Sequence, residues 1–152
     1  MKPSLSTDTL LFILRVAFGI LFLYAGISKI SNPEWTAAGF LTNAQTFSDF
    51  YGWFASSANI GWVNFLNQWG QVAIGLGLVT GTFTTTAAYS GALMMILYYF
   101  PVLDFPYIGE HGWLIDDHLL YALTLVLLAQ LHAGQIYGLD ALIAKYLGKK
   151  SS

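Results

Sequence analysis

Residues 9–30 read TLLFILRVAFGILFLYAGISKI. At about 1.5 Å per residue the run is long enough to cross the roughly 30 Å hydrocarbon core of a bilayer as one helix. Helix is the expected form, because a backbone facing lipid must satisfy its own hydrogen bonds. A cleaved signal peptide is the competing reading, given Lys2 ahead of the apolar core. The stretch is long and has no A-x-A site, so a retained anchor is expected.

The rest of the chain has the same character. Of its 152 residues 56% are apolar, 16% aromatic and only 9% charged, against roughly 25% charged in a typical soluble chain. Further spans are expected at about 65–83, 84–103 and 117–137, the second and third joined by TGTFTTT, a turn too short for anything but an antiparallel hairpin. The expected fold is all-α, one membrane domain over residues 1–152 built as a four-transmembrane-helix bundle. Its longest connection, about 31–64, is aromatic but not apolar enough to span, and reads as one or two interfacial helices, with Asn32 as a helix cap and Pro33 at the first helical position.

Lys2 precedes the first span and Lys145, Lys149 and Lys150 follow the last, so an even number of spans puts both termini in the cytoplasm. Glu34, Asp49, Asp104, Glu110, Asp116 and Asp117 then lie on the outer side. A net charge of −2 without long basic runs gives no footprint for nucleic acid, and the absence of cysteine removes disulfides and thiolate sites.

Polar groups inside apolar spans carry the most information, since each is costly in lipid. Arg15 and Lys29 lie fourteen positions apart, within about 40° of one helix face and about 21 Å apart in depth. They either snorkel to the two interfaces or serve a site. His118 and His132 repeat that spacing in the last span. An outer polar layer of Lys29, Gln71, Asp116, Asp117 and His118 follows, with an inner layer of Arg15, His132, Gln130 and Tyr89. Gly77-x-x-x-Gly81 reads as a helix-packing signal.

Paired histidines at this spacing resemble ligands of stacked b-type haems, but each haem needs a second histidine from another helix. Haem would therefore require a symmetric dimer or a partner. His111 and His118 with the outer carboxylates match no metal-ligand spacing, so no metal is expected. Asp at the start of the last span is accounted for in part by capping, while Lys29 is expected to meet one of the two aspartates. His118 is the side chain suited to passing a proton near neutral pH.

RVAFGILFLYAGISKI, GQVAIGLGLVTG and DDHLLYALTLVLLA resemble the first, second and last helices of the DoxX family. The aromatic segment and the stretch from Trp113 to His118 are similar to its DoxD-like branch, the membrane subunit of thiosulfate:quinone oxidoreductase. Where many members carry a glutamate before the glycines of the second helix, this chain has Gln71, so no acid there carries a proton. The resemblance implies a four-helix membrane subunit of a quinone-linked oxidoreductase, with quinone as cofactor; joined to the polar layers above, it makes His118 the expected proton-transferring catalytic residue and places Lys29, Gln71, Asp117 and Arg15 at the quinone or substrate site. Partners are then the lipid bilayer, a membrane or peripheral subunit, and a second copy of the chain. A non-catalytic membrane protein that assembles a larger complex is the alternative, favoured by the lack of cysteine and of any flavin motif.

Overall fold

A computed structural model of the protein describes residues 5–109 and 112–149. They are mostly helical, with seven α-helices: α1 Thr7–Ile30, α2 Ala38–Thr42, α3 Ser48–Ala55, α4 Ile60–Thr80, α5 Thr84–Val102, α6 Asp117–Gln130 and α7 Leu139–Lys149. Three two-residue strands, β1 Leu103–Asp104, β2 Tyr107–Ile108 and β3 Gly112–Trp113, form an antiparallel sheet between α5 and α6, an element that the all-helical reading did not include. Lys2, Lys150, Glu110 and His111 lie outside the described residues.

Helix α1 begins where Ser6 caps it, its hydroxyl accepting from Thr9 N at 3.1 Å, and runs to the expected Ile30. It is the one helix among the described residues that is long and apolar enough by itself to cross a membrane. Helices α4 and α5, about 31 and 28 Å long, carry amides, hydroxyls and glycines that dilute their hydropathy. Helix α6 is apolar but only about 21 Å long.

Packing starts from glycine. A Cβ on Gly19 would lie 2.6 Å from Val79 Cγ2, and one on Gly75 would lie 2.7 Å from Leu23 N, so α1 and α4 run in close contact because these positions have no side chain. Of Gly77 and Gly81, the pair expected as a helix-packing signal, the first packs α4 closely against α5 and the second ends α4. Gly77 faces Ala87, and Gly81 caps α4 at φ +71°, a conformation that glycine adopts without steric cost. Helices α5 and α6 complete the group, and Phe22, Leu78, Leu125 and Leu128 are wholly buried at its centre. The core therefore separates a Lys29 end from an Arg15 end.

Three boundaries differ from expectation. Helix α4 starts at Ile60, taking in residues assigned to the interfacial segment. Asn32 and Pro33 begin no helix: Asn32 Oδ1 accepts from Glu34 N at 3.2 Å, a local turn, and α2 starts only at Ala38. Helix α6 stops at Gln130, and His132 takes a left-handed conformation at φ +48° before a 3₁₀ turn, Ala133–Gln135. His118 and His132 thus share no helix face. Helices α2 and α3 lie in the long connection, where one or two helices were expected, and Tyr51, Leu41 and Ala44 bury themselves there.

Candidate functional site

At the Lys29 end the ammonium lies in the last turn of α1, half-buried, and donates to Gln71 Oε1 at 2.6 Å. Trp35 and Tyr98 present their ring faces to it at 5.3 and 5.8 Å from the centroids. An ammonium only donates, so it fixes the Gln71 carbonyl toward itself and turns the amide nitrogen to the Tyr98 hydroxyl, 3.3 Å away. Gln71 is 3% exposed and lies outside the lining of the cavity beside Lys29, so it orients Lys29 from behind.

The expected ion pair between Lys29 and an aspartate is absent among the described residues. Asp116 is already occupied: Oδ1 caps α6 by accepting from Leu119 N at 3.1 Å, and Oδ2 lies 2.6 Å from His118 Nδ1. Asp117 is exposed and lines no cavity here. Capping thus accounts for Asp116, the aspartate that also holds His118. The His118 ring meets Tyr98 edge-on, with centroids 6.0 Å apart.

Lys29, Trp35, Thr36, Asn67, Tyr98 and His118 line a cavity of about 240 Å³. A second, strongly apolar chamber of about 260 Å³ lies beneath α2 and α3 against α4 and α5, walled by Leu41, Phe54, Trp62, Leu66 and Leu97 among others. Ala37, Phe40, Asn67 and Tyr98 belong to both linings, so polar pocket and apolar chamber adjoin. Asn67 Oδ1 is buried with no hydrogen-bond partner, and the Asn67 side chain lies beside the Tyr98 hydroxyl. Asn67 and Tyr98 were not chosen as site residues from sequence. Asn67 stands one helical turn before Gln71, and that spacing was the available signal.

At the other end Arg15 is wholly buried. Its Nη1 donates to Ala133 O at 2.9 Å and its Nη2 to Tyr137 O at 3.4 Å. Asp140 accepts from Phe83 N and Thr84 N at 2.8 and 2.9 Å, capping α5 from across the chain, while its own amide donates to Gly81 O. Gly81 and Gly138 press against the guanidinium so closely that a Cβ on either would overlap it. Gln130 donates to the Tyr89 hydroxyl on the surface, and His132 is exposed, so the expected inner layer divides into separate parts. Arg15 lines none of the cavities described above.

The DoxX family model matches residues 10–103, from α1 to β1. His118 and α6 lie beyond that match. No curated protein and no solved structure matches the chain.

Proposed function

The chain belongs to the DoxX family, whose members are membrane proteins, and on that premise we propose that it is the membrane subunit of a quinone-linked oxidoreductase. Helices α1, α4, α5 and α6 cross the bilayer, with both termini cytoplasmic. Large apolar side chains exposed along all four, among them Ile20, Leu76, Leu93 and Leu123, support this: they are unfavourable in water and well solvated by lipid. The observation that carries the reading is a half-buried ammonium, held by a neutral amide and two rings, at the mouth of a pocket that adjoins an apolar chamber.

The residues fit a quinone head group. Lys29 keeps N–H donors beyond the one given to Gln71 and can hold a carbonyl oxygen that gains negative charge. His118, oriented by Asp116, can carry a proton to or from that oxygen. The chamber is suited to an apolar tail. Bound quinone would supply the electron-accepting chemistry, and a partner subunit would deliver the electrons. Likeness to the DoxD-like branch makes thiosulfate the favoured donor.

Purification in mild detergent, with mass analysis of bound lipids and subunits, tests this directly. Wild-type protein should retain quinone and a redox subunit. His118→Ala should assemble normally and lose quinone reduction by the complex. Unchanged turnover in that variant would transfer support to the non-catalytic assembly role.

A further inference from the structure

The apolar chamber does not end beneath α2 and α3. A groove of about 560 Å³ continues from it along the seam between α4 and α5 toward the Arg15 end, and Ser90 lines both spaces. On α4 the chamber takes Val63 and Leu66 and the groove takes Ala73, Gly77 and Thr80; on α5 Leu97 and Leu93 are followed by Ser90 and Thr86. Steps of three and four keep each set on one face of its helix, so chamber and groove form a single track. Gly70 occupies the α4 position between them, where even a Cβ would meet only Met94 Cε, at 3.4 Å, so no α4 side chain blocks the way. No residue of α2 or α3 lines the groove, and Ala73, Thr80, Thr86 and Ser90 are exposed, so on the four-span reading this part of the track is open to the bilayer.

From this continuity we infer that the site takes a membrane-borne ligand with a long apolar tail, which leaves the chamber at Ser90 and follows the α4–α5 groove; the inference rests on the quinone-site reading above. Eight positions separate Tyr98 from Ser90 and twelve separate it from Thr86, about 12 and 18 Å along α5. With its ring at Lys29, a decyl chain therefore ends near Ser90, whereas a geranylgeranyl chain continues to the level of Thr86. The open side lets the head move between the bilayer and the Lys29 pocket while the tail stays among apolar neighbours. Lipid solvates such a chain about as well as the groove does, so the groove contributes packing alone, and its mark is where the tail lies rather than how tightly the ligand binds.

The test uses the full chain in lipid nanodiscs and two quinone probes with a photoreactive diazirine at the tail end, one on a decyl chain and one on a geranylgeranyl chain. After irradiation, peptide mass analysis locates the label. The decyl probe should mark the chamber, at Leu66, Leu93 or Leu97, and the geranylgeranyl probe should mark the groove, within residues 73–87. Excess unlabelled decylquinone should remove most of both labels, which separates a tail held by its head from a chain dissolved in the surrounding lipid. Thr86→Trp, at an exposed position outside the chamber lining, should shift the longer probe's label away from residues 73–87 and leave the shorter probe's label in place. Long-probe label spread over other lipid-facing helices, or groove label that the competitor does not remove, overturns the tail route, and displaceable decyl label in the chamber then leaves the quinone site standing. No displaceable label from either probe overturns both. The comparison of the two probes needs no variant, so misfolding of Thr86→Trp does not remove the test.

Discussion

Arg15 and Lys29 occupy one face of α1, yet their surroundings have little in common. Around Arg15 the partners are main-chain carbonyls of Ala133 and Tyr137, and glycines close off the remaining space. Around Lys29 the partners are one amide and two ring faces, and a cavity opens beside the ammonium. The contrast shows how a buried cation is to be read. Where backbone acceptors meet both Nη atoms and nothing can approach, the cation holds segments together even with Nε left unpaired; where a cavity adjoins the free protons, it can meet a ligand.

Breaking the Arg15 end should have the largest effect on stability. Arg15→Met removes the donors for two carbonyls and leaves a hole between α1 and the chain beyond α6. The expected cost is about 3 kcal/mol or more, as for other buried charged groups whose hydrogen-bonded partners are stranded. Thermal unfolding in detergent should show a much lower midpoint, and limited proteolysis should cut within residues 133–149 sooner. Gly81→Ala strains the φ +71° cap and presses on the same guanidinium, so its effect and that of Arg15→Met should fall short of additive. A wild-type midpoint with unchanged cleavage in Arg15→Met would show that the guanidinium is no staple.

Lys29 sharpens the comparison from the other side. Lys29→Met strands Gln71 Oε1 and should cost about 1–2 kcal/mol, less than the Arg15 change, while removing bound quinone from the purified protein. Pairing it with Gln71→Leu replaces both partners by apolar groups, so the double variant should regain much of the lost stability without regaining quinone. Restored quinone binding in the double variant would mean that the ammonium contributes nothing to the site.

How far each end was legible follows from where its partners lie in the chain. The face shared by Arg15 and Lys29 is a matter of helical spacing, and the apolar runs locate α1 and α5 to within a few residues. Gln71 and Lys29 were assigned to one depth from their positions in two spans, and they meet. The acceptors for Arg15 carry no such signal: a carbonyl 118 positions later is identical in kind to every other carbonyl. Nor does the apolar pattern mark the end of α6, because Leu131 and Ala133 continue it while the backbone turns left-handed at His132. Asp140 was overlooked because it lies past the last expected span, and its role as a cap for α5 exists only once the chain has folded back.

The smallest predicted effect concerns the roof of the Lys29 end. Tyr51 on α3 is buried, and its hydroxyl donates to Leu97 O on α5 at 3.0 Å, one of the ties that hold α3 over the apolar chamber. Tyr51→Phe keeps the ring and loses that bond, for an expected cost of about 1 kcal/mol at neutral pH. Burial also raises the Tyr51 pKa above its ordinary value of 10.0, since a phenolate there would lose its hydration. A raised folded-state pKa means that this contribution is fully present below pH 10.0 and is lost as pH rises through the folded-state value. The wild-type advantage over Tyr51→Phe should therefore hold at pH 8 and shrink near pH 11, measured as the difference between their unfolding midpoints at each pH. An advantage that stays constant or grows with alkalinity would mean that the hydroxyl is not held in its neutral, donating form, and that the roof over the chamber rests on the ring alone.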